Sequence, residues 1–503
     1  MSHAVSVVGV QGHLVRIEAA LLSGLPAFTI VGLPDAAVVE SRERLRAAFA
    51  AAGILFPQVR VTVNLSPADT PKSGTAFDLG IAAAILSAMS GRVADTGHEV
   101  YLGELGLDGS VRKVRGVLPG ALAVPDMGLV VPYGCQAEAA LAGVSAVGVW
   151  HLSQVAEPLG IGCQPVPPEP KGREQANDGQ RVGGPAGAGD FSDVRGQAFA
   201  KWAIEVAAAG GHHLLMTGSP GIGKSMIASR MPGILPELSL DEAVEVASIA
   251  SAVGEFDGGL SRVPPFSAPH HTASAAALIG GGTYPRPGAV SRAHNGILFL
   301  DELPEFQRDV MQALRQPMES GEVQIHRART SVTYPARFQF IGAANPCPCG
   351  RFFDNAARCS CKSRDRREYF RRIGGPLLDR FDINVVMSLP SRVELKLDTN
   401  TERSAVVAER VALSRERSQA RLRDTEWTRN AQVSGAWLRK NTPLPPAVEK
   451  QFDAALAHGE LSLRAVDKIM RVAWTLADLA GHVGPDSGDF HQAFALRERN
   501  DNG

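Results

Sequence analysis

Eight consecutive residues constrain this chain more than any others: Gly218-Ser219-Pro220-Gly221-Ile222-Gly223-Lys224-Ser225. They fit the pattern G-x-x-x-x-G-K-[ST]. The glycines let successive backbone N–H groups turn toward one anion, and the positive end of a following helix adds to the attraction. The flanks agree. Leu214-Leu215-Met216 predicts a strand, and Met226–Met231 predicts a helix. A strand, a glycine loop and a helix in that order cradle nucleotide phosphates. Lys224 is placed to reach the β- and γ-phosphates, and Ser225 to offer its hydroxyl to Mg²⁺. The expected fold class is therefore α/β, and ATP with Mg²⁺ is the expected ligand.

Such a loop needs partners downstream. Ile297–Leu300 is an apolar, strand-like run that ends in Asp301-Glu302. Asp301 would hold Mg²⁺ through its water shell, and Glu302 would act as general base toward the attacking water. Phe340–Ala344 is a second apolar run, and it ends in Asn345, placed to orient that water. Arg380 lies in Pro376-Leu377-Leu378-Asp379-Arg380-Phe381-Asp382. Arg464 lies in the first turn of a helix for which Ser462 is a plausible cap. Taken singly, Arg380 also reads as a surface ion-pair partner of Asp379 or Asp382. The order of these residues after the loop, the acids and the asparagine favours a role for both arginines at the γ-phosphate. Glu302, Asn345, Arg380 and Arg464 are thus the candidate catalytic residues.

The 503 residues suit about three domains. Residues 1–162 alternate strands (Ala27–Val31, Val59–Asn64) with helices (Pro34–Ala52, Phe77–Met89) and a hairpin at Gly103–Val114 that turns at Asp108-Gly109. Residues 163–189 are rich in Pro, Gly, Gln and Glu, and bury too little to offset ordering entropy, so they read as a flexible linker. Residues 190–390 carry the phosphate loop. Residues 391–503 are mostly helical, most clearly at Ala405–Arg423 and Leu463–Ala480. The net charge of −1 excludes a protein that coats nucleic acid by bulk charge. The start lacks a basic-then-apolar leader, and no apolar run suits a bilayer, so a cytoplasmic location without membrane contact is expected.

Four of the six cysteines stand together, as Cys347-Pro348-Cys349 and Cys359-Ser360-Cys361. Four thiols suggest a tetrahedral Zn²⁺ site, although C-x-C is tighter than the usual ligand spacing. Free structural thiols and a redox pair are the other readings. The segment is poor in apolar residues, so a metal would stand in for a core.

Beyond these motifs, Ala268-Pro269-His270-His271-Thr272, Gly280-Gly281-Gly282, Pro285-Arg286-Pro287-Gly288, Ala293-His294-Asn295-Gly296, Asp301-Glu302-Leu303-Pro304-Glu305-Phe306 and Leu377-Leu378-Asp379-Arg380-Phe381 resemble the Mg-chelatase-like AAA+ ATPases. The likeness is strongest to their competence-associated ComM/YifB branch. It covers nearly the whole chain, including an N-terminal segment that the chelatase ATPase subunit is expected to lack. The resemblance implies an AAA+ core with a C-terminal helical lid, a helix-2 insert near Ala243–Ser291 and a hairpin near Gly321–Tyr334. It implies a ring, a homo-hexamer by expectation, with ATP between subunits. Arg380 would act on the neighbour's nucleotide, and Arg464 matches the sensor-2 position. The implied role is a DNA motor, a translocase or branch-migration helicase for recombination intermediates in DNA uptake or repair.

The residues bear on DNA in two places. His326, Arg327 and Arg329 sit near the expected hairpin tip and would contact phosphates without reading bases, or else form a solvated loop. Residues 351–372 carry eight Lys and Arg against three acids, a net of +5. The N-terminal segment carries ten against thirteen, a net of −3. That segment, at Pro71–Ala76 and Gly109–Leu118, resembles Lon-type protease domains, which implies an α+β fold there. Ala76 stands where that family has its serine and Leu118 where it has its lysine, so the catalytic dyad is missing. Peptidase activity is not expected; ring assembly or contact with DNA or a partner is. Three other functions compete: a chelatase motor driving metal insertion into a porphyrin, an ATP-dependent protease, and a remodelling scaffold that does not hydrolyse ATP.

Overall fold

The computed structural model describes the chain except for residues 69–70, 92–97, 170–188, 283–284, 327–330, 354–358, 392–393, 395–400 and 498–503. Most of the linker-like segment thus lies outside the described residues, as do Arg327 and Arg329.

The N-terminal part is built on β1 (Ser2–Val8), β2 (Gln11–Leu22), β3 (Ala27–Val31), β4 (Arg60–Ser66), β5 (His98–Tyr101), β8 (Gly128–Pro132) and β9 (Ala146–Val149). In β4, Val61, Val63 and Leu65 are buried while Thr62 and Asn64 are less so, the two-residue period of a strand with one face on a core. The seven strands form one mixed sheet in the order β3-β4-β2-β1-β5-β8-β9. The short strands β6 (Glu104–Leu105) and β7 (Val111–Arg112) make the expected hairpin. Helix Ala36–Ala51 starts where Asp35 caps it, the carboxylate accepting from the Val38 N–H at 2.8 Å. It buries Val38, Leu45, Ala48 and Phe49. Helix Asp78–Ser90 is apolar on all sides and largely buried. Its buried Asp78 takes two hydrogen bonds from Arg44, at 2.6 and 2.9 Å.

The second sheet holds β10 (Leu214–Gly218), β11 (Phe266–Ser267), β14 (Ile297–Leu300), β17 (Gln339–Ala344) and β18 (Ile383–Met387). Its order is β11-β14-β17-β10-β18, and every pairing is parallel. Thr217 pairs with Ala344, and Leu300 with Gly342. The carboxyl ends of β14, β17 and β10 therefore lie side by side, where parallel α/β sheets bind ligands. Two antiparallel hairpins stand outside this sheet, β12 (Gly280–Gly281) with β13 (Arg286–Pro287) and β15 (Glu322–His326) with β16 (Ser331–Pro335).

The C-terminal helices Ser404–Leu422, Leu463–Ala480 and Ser487–Ala495 share a continuous apolar core with β10 and β18. Met216, Val385, Val411, Val466 and Phe490 all belong to it. The helical segment is therefore packed onto the strand that feeds the phosphate loop.

The N-terminal part docks on the second unit at two places. The Gly116 N–H donates to Ser251 O at 3.0 Å, and the Leu118 N–H lies 3.4 Å from Ser251 Oγ. Leu118 itself is fully buried beside this contact. At the other place, the turn at Gly9 meets the β15–β16 hairpin. Gly9 has φ +70°, and a Cβ there would lie 2.9 Å from Val332. No helix among the described residues is long and apolar enough to cross a membrane.

Candidate nucleotide site and cysteine centre

The phosphate loop leaves β10 and enters helix Lys224–Arg230. Gly221 and Gly223 have φ of +78° and +102°, which side chains rarely tolerate. Lys224 is buried. Its Nζ donates to Gly218 O at 2.6 Å, Ser219 O at 3.1 Å and Asn345 Oδ1 at 3.0 Å. Among the described residues, the buried Ser219 Oγ has no hydrogen-bond partner. An ammonium group, a partnerless hydroxyl and glycines at positive φ in one loop fit a phosphate ligand. Ser225 Oγ donates to Asp301 Oδ2, so the two expected Mg²⁺ contacts already touch.

Glu302 follows with φ +52°, a conformation that costs a non-glycine residue energy and recurs where function requires it. Asp301 Oδ1 accepts its N–H at 2.8 Å. The Glu302 carboxylate lies 3.1 Å from His271 Nδ1. Asn345 sits one residue past β17, between the loop strand and the acid strand, and bonds Lys224. The structure thus brings together Lys224, Ser225, Asp301, Glu302 and Asn345.

Arg380 and Arg464 form a separate group. Arg380 pairs with Glu319, and burial together with the positive charges of Arg464 and Arg315 lowers its pKa. The Nε atoms of Arg380 and Arg315 are buried with no partner among the described residues. Neither Asp379 nor Asp382 pairs with Arg380. Asp382 instead faces His212 Nδ1 at 3.2 Å, and although burial opposes it, the His212 hydrogen bond and nearby cations hold its pKa far below the usual carboxylate range. Lys468, one turn after Arg464, is buried and donates to the carbonyls of Asp379 and of Phe381, the latter at 2.9 Å. Burial lowers its pKa to about 8, with Asp382 opposing. Lys468 thus ties the turn that carries Arg380 to the helix that carries Arg464, and His212, which bridges Asp382 to Thr475 of the same helix, is a second tie.

The four cysteines converge. Cys347 Sγ lies 3.4 Å from that of Cys349 and 3.8 Å from that of Cys359, and Cys349 lies 3.6 Å from Cys359. All four sulfurs lie within 4.8 Å of one another. A tetrahedron of thiolates about 2.3 Å from zinc has edges of about 3.8 Å, so the set fits that ion. A hydrogen bond from the Arg351 N–H lowers the Cys349 thiol to about 6, while burial pushes Cys347 up to about 12. The cluster also abuts the phosphate loop: a Cβ on Gly350 would lie 2.6 Å from Pro220. Helix Ser363–Arg371 closes the segment, with Arg366 stacked 4.0 Å over Phe352 and bonded to Cys361 O.

Comparison with known proteins gives the family. Residues 190–395 match the family model described as magnesium chelatase, subunit ChlI. Residues 401–497 match its C-terminal model. An uncharacterised Mycobacterium tuberculosis protein is 44% identical over 98% of both chains. Escherichia coli YifB, also uncharacterised, is 39% identical over 95% of this chain and 92% of its own. The competence protein ComM of Haemophilus influenzae is 40% identical over 94% of this chain and 92% of its own. The chain belongs to the Mg-chelatase-like ComM/YifB family. Residues 17–134 match a further model described as subunit ChlI of Mg-chelatase. The magnesium-chelatase 38 kDa subunit of Cereibacter sphaeroides is 28% identical over only 24% of this chain.

Three residues near the site were not assigned roles from sequence. His271 lies in a quoted motif, but nothing in its spacing shows that it meets Glu302. Arg315 and Lys468 sit on helices as ordinary charges, and only tertiary packing gathers them around Arg380. His326 ends β15, its ring 3.1 Å from Ser331 Oγ, so one of the three hairpin candidates is placed at the strand end.

Proposed function

We propose that this chain hydrolyses ATP within a ring of identical subunits, by expectation six, and uses the cycle to move DNA branch points. The contact of Lys224 with Asn345, beside that of Ser225 with Asp301, carries the hydrolytic reading. Lys224 would hold the terminal phosphates, and Asn345 would orient the attacking water. Glu302 would take that water's proton once released from His271. Ser225 and Asp301 would hold Mg²⁺, which when bound neutralises phosphate charge. Arg380 and Arg464 would complete the site of a neighbouring subunit: Arg380 keeps a buried Nε without a partner among the described residues, the exposed Arg464 adds a second positive charge beside it, and such a pair suits an anion brought from outside.

Near-full-length identity to a competence protein supports DNA as the partner, as do the basic residues of 351–372. The same coverage favours this reading over a porphyrin-metallating motor. The cysteine tetrad would hold a structural Zn²⁺ that fixes the segment against Pro220. The N-terminal part would be a Lon-like domain without peptidase activity that braces the hairpin through Gly9. The test is ATP hydrolysis measured with no DNA and with single-stranded, duplex and forked DNA. Forked DNA should raise the rate, and Lys224→Ala should abolish it. A rate unchanged by every DNA would overturn the DNA part while leaving the ATPase.

A further inference from the structure

A groove of about 730 Å³ opens beside the acids, between residues 304–308 and helix Ser363–Arg371. Five arginines line it: Arg308, Arg364, Arg367, Arg371 and Arg372. Arg364, Arg367 and Arg371 are spaced i, i+3, i+7, so they occupy one face of the helix. Arg366 lies off this face and is held on Phe352 and Cys361, and Tyr369 is buried toward the core. All five groove arginines are exposed. Among the described residues, only Arg372 makes an ion pair, with Glu305 at 3.7 Å. Exposed charges on a short helix are ordinarily just solvated. Here the surface is concave, and a cleft lined by one sign of charge concentrates the field it presents to counter-ions.

The groove is wired to the hydrolytic glutamate. Glu305 lies three residues after Glu302, and its N–H donates to Glu302 O at 2.7 Å. The buried Tyr369 hydroxyl faces Glu305 and feels Glu302; burial and these carboxylates raise its pKa. An anion drawing Arg372 away from Glu305 would thus alter the support of Glu302. We propose that this groove binds the phosphodiester backbone of DNA and reports its presence to Glu302. From Arg364 to Arg371 the helix rises about 10 Å, the rise of about three phosphates on one strand. The inference rests on the DNA reading above and gives it a site distinct from the hairpin tip.

The experiment measures forked-DNA affinity against salt for the full-length protein. Replacing Arg364, Arg367 and Arg371 together by Ala should flatten the slope of log affinity against log salt by about 2.7, three contacts at about 0.9 each. The same protein should lose DNA stimulation of hydrolysis. Glu368→Gln, which removes an acid from the groove, should tighten binding by about threefold at low salt, a gain that misfolding cannot mimic. Competition separates the phosphate sources: unlabelled oligonucleotide should displace the fork, whereas ADP or inorganic phosphate at equal phosphate concentration should not. Displacement by ADP or phosphate instead would overturn the proposal. So would an unchanged slope in the triple variant, with the DNA-motor reading intact if wild type binds. Loss of ring size with an unchanged slope would make the groove a contact between copies and equally overturn it. A wild-type protein that binds no DNA would sink the motor reading itself.

Discussion

Lys468→Met tests whether the two arginines act as one unit. Lys468 Nζ donates to Asp379 O and Phe381 O, and so ties the Arg380 turn to the helix that carries Arg464. Two stability effects oppose each other. Removing the donor leaves a buried carbonyl unpaired, which costs about 1–3 kcal/mol. It also relieves burial of an ammonium group whose pKa has fallen from 10.5 to about 8, a relief of about 3 kcal/mol. The net change should stay within about 2 kcal/mol of zero, so the protein should fold. The rate should not survive so well. Outright loss of a trans-acting arginine costs about 10³–10⁵ in kcat, and a misplacement near 1 Å about 10². The turn remains, still joined through Asp382 and His212 to Thr475 of that helix, but it loses its direct tie, so the smaller figure applies. Steady-state ATP hydrolysis should show kcat down by about 100-fold, with KM within about threefold because the neighbour's loop still binds the nucleotide.

The pH dependence adds a second check. The folded pKa lies below the unfolded one, so between about pH 8 and 10.5 the unfolded state binds more protons and this group's contribution to stability rises with pH. Over the same range the ammonium loses its charge, and the amine that remains donates more weakly to both carbonyls. Wild-type kcat should fall as pH passes about 8 while the lysine's stability contribution grows, and Lys468→Arg should remove the fall in kcat. Wild-type kcat in Lys468→Met would show that the two arginines do not depend on this lysine.

Other outcomes follow from the same geometry. Mixing Arg380→Ala with Lys224→Ala protein should recover some activity, since about a quarter of random interfaces would pair an intact loop with an intact arginine; no recovery despite co-assembly would place Arg380 outside the neighbour's site. Metal analysis should find one zinc per chain, lost in Cys359→Ser; a metal-free, stable protein would leave four structural thiols. Half-buried His213, with its pKa lowered to about 4 chiefly by desolvation, accepts from the Phe340 N–H at 3.0 Å. Its unfolded form takes up a proton first as pH falls, so about 3 kcal/mol should be lost between pH 6.5 and 4. His213→Gln should flatten that acid limb in a denaturation series.

The sequence made the parallel-sheet site legible because its residues follow short apolar runs. Leu214–Met216, Ile297–Leu300 and Phe340–Ala344 each read as buried strands, and the polar residues after them had to meet at one sheet edge. Local patterns also sufficed for the helix expected over Pro34–Ala52, observed at Ala36–Ala51, and for the β6–β7 turn. What stayed hidden depends on packing between distant segments. The pairing of His271 with Glu302 spans 31 positions, and that of Lys468 with the Arg380 turn spans almost 90. No periodicity carries either. The C-terminal helices read as a separate lid, because helical spacing shows which face is apolar and not what it covers. They share their core with β10 and β18.

The most direct test of the account is movement of a four-way DNA junction by the purified protein. ATP should drive conversion of the junction to its branch products, and Glu302→Gln should abolish that conversion while retaining nucleotide. A junction that stays intact under conditions where the protein hydrolyses ATP would contradict it.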